Sequence, residues 1–274
     1  MFERVAGTEG PDRRDRIQFS QGPRWFAEDR PIRQVHADAS MFVGGLRALL
    51  LQSLHPLAMA GVAGHSGFRG DPWGRLQRTS HFLAVTSFGT AADAEAMIAK
   101  IRRIHERVQG TAADGRTYAA SDPHLLRWVH VAEVDSFLYA HQRYGARPLN
   151  QAGRDGYVAD TAKVAAALGV IDPPTSEAQL RSELAAYRPE LKGTRDARDA
   201  ARFMLLQPPL PLPLRPPYGV LAAAAVAGLP WWARWPLRLP YLPLAEATVV
   251  RVAGDGLVRT IRWAMSPPAA EATE

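Results

Sequence analysis

The sequence predicts an all-α fold. Three observations carry the prediction. Apolar residues recur every three or four positions along several segments, cap signals bracket those segments, and the alternating β-branched runs that mark strands are missing. At 274 residues, with 47% hydrophobic and 22% charged residues, the chain can bury a large core as one globular unit.

The elements follow in chain order. Residues 1–35 are polar, rich in Arg, Asp, Gly and Pro, and read as an arm whose Trp25-Phe26 pair docks onto the body. From Met41 to Ala63 the chain is almost continuously apolar, and Pro56 kinks or restarts the helix there. That stretch is too interrupted for a membrane span and reads as a central buried helix. Gly64 to Gly70, GHSGFRG, is a glycine-punctuated loop. Asp71-Pro72 opens a helix to about Ser87, with Gly89 as its stop. Thr90 with Asp93 resembles a capping box for a helix reaching about Gln109, where Gly110 follows. Asp122-Pro123 repeats the start signal, and Gly145 closes that helix. Further helices run from Asn150 to Leu168 and from Ser176 to Tyr187.

Residues 207–244 change character. Ten prolines surround a short apolar helix, GVLAAAAVAG, which is about half the ~20 residues a span needs. Trp231, Trp232 and Trp235 interleave with Arg234 and Arg238, which suits proline-braced loops packed on the core, a lid, or a peripheral membrane contact. A last helix spans Glu246 to Met265, and SPPAAEATE is a frayed tail. The expected organisation is an arm (1–35), a helical catalytic domain (36–206), a Pro/Trp-rich segment (207–244), and a C-terminal helix with tail (245–274).

Composition narrows the chemistry. Without cysteine there are no disulfides, thiolate metal sites or iron–sulfur clusters, so any metal ligand is nitrogen, oxygen or methionine sulfur. The net charge of +6 comes from scattered arginines, with no run of five basic residues, so nucleic acid is not expected as a partner. The amino end lacks the apolar core of a secretory signal, which predicts a cytoplasmic location. HExxH, P-loop, GxGxxG and GxSxG motifs are absent, removing the commonest protease, nucleotide and hydrolase readings.

Histidines remain. On the helix after Thr90, Ala94, Met97, Ile98, Ile101, Ile104, His105 and Val108 form one stripe, so His105 is expected to point inward. A buried imidazole needs a hydrogen-bond or metal partner; a satisfied core histidine and a ligand both meet that need. Arg75, Arg78, Thr79 and Phe82 share a helix face, a poor core pattern that fits either an anion or ligand pocket or a solvated face. His130 lies with Leu126, Val134 and Phe137, and Glu133 follows it by three residues, so His130 is expected inside as a ligand, a support for one, or packing. His55 and His65 complete the set, while His81, His124 and His141 read as peripheral.

The strings DPWGRLQRTSHFLAVTSFGT, IRRIHERVQG and DPHLLRWVHVAEVDSFLYAHQRYGARPLNQ resemble the catalytic domain of the rubber oxygenase and MpaB family, which includes the latex-clearing proteins. The resemblance is strong over residues 36–170 and looser beyond. It implies a globin-like core holding haem b, with His105 as the iron ligand and Arg75 and Thr79 on the opposite side. Arg78 stands where the family carries a lysine; a guanidinium stays charged and ligates iron poorly, so that side is expected to be open or weakly occupied. His65 and His130 are expected beside the cofactor. The implied function is a haem b-dependent oxygenase-type oxidoreductase taking dioxygen and a small apolar, isoprenoid- or lipid-like substrate, with Arg75, Arg78 and Thr79 as its catalytic group. A haem or lipid carrier without turnover, and a non-haem metal enzyme using His105, His130 and Glu133 or Asp135, are the alternatives.

Overall fold

The computed structural model describes residues 16, 17, 19–65 and 71–265. The first fifteen residues of the expected arm, most of the glycine loop and the SPPAAEATE tail lie outside the described residues. What is described is almost entirely helical, as the spacing predicts.

Prolines and caps set where the helices begin. α1 (Pro31–His36) starts on a proline; α2 (Met41–Gln52) ends before a turn, and α3 (Pro56–His65) restarts on Pro56, bent from α2 by 107°. Proline brings no N–H to a helix ladder and its ring blocks the preceding turn, so the apolar 41–63 stretch becomes two helices. Asp71 caps α4 (Pro72–Phe88) by accepting the Gly74 N–H at 2.8 Å. The Thr90 hydroxyl caps α5 (Ala91–Arg107) by accepting from the Asp93 amide, and donates to the Asp93 carboxylate at 2.6 Å. α6 (Pro123–Tyr144) starts on Asp122, and α7 (Gln151–Leu168) starts on Asn150 and stops on Gly169, whose φ of +109° favours glycine. Ser176 caps α8 (Glu177–Ala186) and Thr194 caps α9 (Arg195–Leu206). Sequence reading overlooked α9 because its buried positions, Ala197, Ala200 and Ala201, are small. α10 (Arg215–Gly228) is longer than GVLAAAAVAG, since Pro216 and Pro217 fit a helix's first turn, where amides need no partner. Two short helices, α11 (Trp231–Arg234) and α12 (Pro243–Ala245), lead through a π turn over Glu246–Val250 into α13 (Arg251–Met265).

Two expectations change. A short antiparallel pair exists where no strand was expected: β1 (Gln109–Thr111) pairs with β2 (Thr117–Ala119), with Gly110 opposite Tyr118. Strands of only three residues, Gln-Gly-Thr and Thr-Tyr-Ala, are too short to show an alternation. A Cβ on Gly110 would meet the Tyr118 hydroxyl at 2.7 Å, which explains the glycine there. The end of the expected polar arm also belongs to the core, for Phe26, Ile32 and Val35 are buried and Asp160 on α7 accepts from Arg30 Nε at 2.9 Å.

The longest helix, α6, packs along α2. They approach closely at Gly44, where a Cβ would stand 2.6 Å from Phe137 Cδ1. Arg47 ties three helices together, donating to Asp135 Oδ2 at 2.7 Å, Ser136 Oγ at 2.6 Å and the Gly228 carbonyl at 2.8 Å, with Tyr139 stacked on its guanidinium. Trp128, Tyr157, Leu50, Leu51 and Leu54 are fully buried here. Among the described residues no single helix is long and apolar enough to cross a membrane; α2 and α3 together pass by composition, but they are bent and carry much of this core.

Candidate active site

A cavity of about 100 Å³ opens where α1, α4, α5, α6 and α7 meet. Its walls are more apolar than polar, including Leu83, Val129, Val164 and Leu168, with imidazoles, hydroxyls and one carboxyl set among them. Ligand sites commonly have this composition.

α6 supplies two of those polar groups. Leu126, His130, Glu133, Val134 and Phe137 recur at helical spacing, so a histidine and a glutamate occupy positions where a core stripe would otherwise be apolar. Burial pushes Glu133 up to about 7, and no hydrogen-bond partner meets its carboxyl among the described residues. Burial, helped by the nearby Arg127 charge, pushes His130 down to about 4, and its Nε2 is buried without a partner. On α1, His36 stands between Ser87 Oγ at 2.7 Å from Nδ1 and the Tyr157 hydroxyl at 3.2 Å from Nε2. Burial, with His141 nearby, pushes His36 down to about 3. Tyr157 is raised far above its ordinary value by burial and by the Glu133 charge. Both cavity hydroxyls of threonine are occupied locally: Thr86 donates to Phe82 O and Thr161 to Val158 O.

His105 completes the wall from the last turn of α5. Its Nδ1 is buried and unpartnered, and burial lowers its pKa, so the ring is a neutral imidazole with no hydrogen bond to hold it. Leaving a buried polar nitrogen bare costs on the order of 1–3 kcal/mol, so this ring, like that of His130, presents an unmet demand at the cavity wall. Ile104, expected on the same buried stripe, is exposed instead.

The other expected residues lie elsewhere. Arg78 is exposed and pairs with Asp71 at 3.1 Å; Thr79 is exposed and donates to the Arg75 carbonyl one turn back. Arg75 is largely withdrawn from water, and burial lowers its pKa. Phe82, Leu83 and Thr86, further along α4, reach the cavity where Arg75, Arg78 and Thr79 do not. His65 ends α3 in an exposed position, its Nδ1 3.4 Å from the Tyr118 hydroxyl. Asp135 faces Arg47 rather than the cavity. His36, Tyr157 and Glu133 are the polar groups that surround His105 and His130, and of these only Glu133 stood out in the sequence. His141, expected at the periphery, is buried, because α6 is covered on that side as well.

The cavity suits a ligand atom better than a whole tetrapyrrole. An unpartnered, neutral imidazole at its wall fits an axial iron ligand, but drug- and cofactor-sized pockets hold roughly 300–1,000 Å³. Admitting a porphyrin therefore requires a wall to move. The candidate wall is α4, which packs mainly on α1 and α5.

A mostly helical domain with imidazoles and a buried carboxyl around an apolar cavity has the groups a redox or metal site would draw on. The family model described as "ER-bound oxygenase mpaB/B'/Rubber oxygenase, catalytic domain" matches residues 33–263, and the chain belongs to this family of oxygenase domains. Over 100 residues it is 31% identical to the uncharacterized proteins Mb2261 of Mycobacterium bovis and Rv2237 of Mycobacterium tuberculosis. That stretch spans 36% of this chain and 38% of each relative. No solved structure matches the chain.

Proposed function

We propose that the chain is a haem b-dependent oxygenase-type oxidoreductase in which His105 ligates the iron. The observation that carries this reading is the His105 ring, neutral, facing the cavity and without a hydrogen-bond partner. Haem, when bound, supplies the one-electron and dioxygen chemistry that no side chain here can perform. The chain's own groups do the rest. His105 offers a lone pair, Leu83, Val129 and Val164 exclude water, and Glu133, balanced near neutral pH, holds or releases a proton at its carboxyl oxygen. Arg75, Arg78 and Thr79 lie outside the cavity and would reach a bound haem only if α4 moved.

The substrate proposed is a small apolar molecule of isoprenoid or lipid type, consistent with the cavity walls. Trp235, Leu244 and Trp263 are 86%, 85% and 78% exposed, and Arg238, Arg251 and Arg259 are exposed beside them in sequence; they would let the protein rest on a lipid surface and draw such a substrate from it.

The test is an absorption spectrum of purified protein with and without hemin. The expected result is a Soret band that His105→Ala greatly weakens and His130→Ala leaves in place. A protein that stays colourless after hemin addition ends the proposal. A second reading, a non-haem iron site of His105, His130 and Glu133, has them lining one small cavity, but would need them to draw together, since among the described residues the ligand atoms within 4.8 Å of one another belong to His55, His124 and Glu190. Stoichiometric iron without porphyrin would select it. Oxygen consumption with isoprenoid substrates separates either enzyme from a passive carrier.

A further inference from the structure

Away from this cavity, two histidines and a glutamate that are distant in sequence converge. His55 sits in the elbow between α2 and α3, His124 in the first turn of α6, and Glu190 in a 3-10 turn (Arg188–Glu190) after α8. Glu190 Oε2 lies 3.3 Å from His55 Nε2 and 2.9 Å from His124 Nε2, and one ligand atom from each residue lies within 4.8 Å of the others. A tetrahedral zinc with bonds of about 2.0–2.1 Å spaces its ligand atoms about 3.4 Å apart, close to this arrangement.

The hydrogen bonding around His124 sharpens the point. The Tyr187 hydroxyl donates to the His124 carbonyl at 2.9 Å, so its oxygen is left to accept from Nδ1, 3.4 Å away. With the ring hydrogen on Nδ1, Nε2 turns a lone pair toward both oxygens of Glu190 at 2.9 and 3.0 Å; with it on Nε2, the ring donates to Glu190 instead. In the first tautomer two acceptors do not approach so closely with nothing between them; either a second hydrogen or a cation lies there. Tyr187 then plays the part of the outer group that fixes a ligating histidine's tautomer. His55 differs, for its Nδ1 accepts from the Ala58 amide at a long 3.4 Å and its Nε2–H then points to Glu190. Metal binding exchanges that weak cap for a bond to the ion. Arg116, the neighbouring cation, is already engaged by Asp114 at 2.8 and 2.9 Å.

The geometry points to a divalent transition-metal site of zinc type formed by His55, His124 and Glu190, independent of the haem reading. His55 is buried, whereas the His124 and Glu190 side chains are 52% and 42% exposed, so one side of the ion faces water. Three protein ligands with an open fourth position are the pattern of an ion whose bound water or substrate exchanges, rather than of a closed structural site.

The experiment uses the full chain without a histidine tag, stripped of metal and titrated with Co²⁺ as an optical probe, then with Zn²⁺ in competition. One equivalent of Co²⁺ is expected to give visible d–d absorption that Zn²⁺ abolishes. His124→Ala and Glu190→Gln, both at exposed side chains, are expected to lose it, Tyr187→Phe to weaken it about 10–100-fold, and His105→Ala to keep it. Binding weaker than about 100 μM in the wild type overturns the proposal, as does binding that survives both His124→Ala and Glu190→Gln. Dependence on His105 would overturn it too, since the ion would then belong to the cavity.

Discussion

His130 and Glu133 stand one turn apart on α6, face the same cavity, and are moved by burial in opposite directions, to about 4 and about 7. Near neutral pH the imidazole is uncharged and the carboxyl is near half ionisation, which keeps the apolar site almost free of charge. The pair makes stability depend on pH in a specific way. The native state binds less proton than the unfolded chain at His36 and His130, so both contribute stability that is present above 6.5 and lost as pH falls toward 4 and 3. Glu133 binds more, so its contribution is present below 4.5 and is lost as pH rises through 7. His55, His105 and His141 are lowered by burial in the same direction, so the histidines outweigh the one carboxyl: stability rises with pH between 4.5 and 6.5, then turns over near 7 as Glu133 ionises. Urea unfolding across pH 4.5–8 measures this. Glu133→Gln should remove the turnover, gaining about 2 kcal/mol on the wild type between pH 5.5 and 7.5; parallel curves would show that Glu133 does not titrate there.

Gly44 and Gly45 on α2 should respond to alanine with opposite signs. At Gly44 a Cβ would meet Phe137 Cδ1 at 2.6 Å and α6 backbone at 3.1 and 3.2 Å, and Phe137 is itself buried. Overpacking of that kind costs about 1–3 kcal/mol, more than the gain of about 1 kcal/mol from helix propensity. At Gly45 the nearest atom is 3.8 Å away, so only the propensity gain remains. Thermal denaturation of the two variants decides it; equal shifts would mean that α2 and α6 are not this close.

These two helices show what the sequence makes legible. Asp-Pro pairs, Thr90 with Asp93, and Gly169 act through hydrogen bonds and backbone angles within one turn, so α4, α5, α6 and α7 could be read within a residue or two. His105 and His130 could be read as inward because helical periodicity assigns a face. What it cannot assign is which neighbour covers that face. Arg75, Arg78 and Thr79 share a stripe with Phe82, yet only Phe82 reaches the cavity, since α4 extends past its edge. His36, Tyr157 and the His55–His124–Glu190 group were hidden for the same reason: each depends on chain segments that meet only after folding.

Arg47 is 3% exposed and its partner Asp135 18%, so the pair is a buried cross-link between α2 and α6. Arg47→Met removes one charge and leaves the other without compensation, which should cost about 3–5 kcal/mol. Adding Asp135→Asn to that variant should restore part of the loss by deleting the stranded carboxylate. Denaturant midpoints of the single and double variants test this, and a double variant no more stable than Arg47→Met would show that packing on Tyr139, rather than charge, carries the effect.

The remaining prediction concerns α4 and rests on the haem reading. The space beside His105 is about 100 Å³, several times too small for a tetrapyrrole, so cofactor entry requires a helix to leave. α6 is locked by Arg47, Phe137 and the α2 contact, and α7 by Asp160 and α1, whereas α4 is held mainly through α1 and α5. Along α4, Arg75, Thr79, Phe82 and Thr86 follow at intervals of three and four, so outward displacement would extend the wall now formed by Phe82 and Thr86 with the two polar residues before them. Local opening of this kind shows in amide exchange. In hemin-free protein the amides of residues 76–88 should exchange at least tenfold faster than those of residues 126–140, and hemin should slow the first set while leaving the second unchanged. Equal protection of α4 and α6 in both states would mean that α4 is not the gate, and that no porphyrin enters on this side of His105.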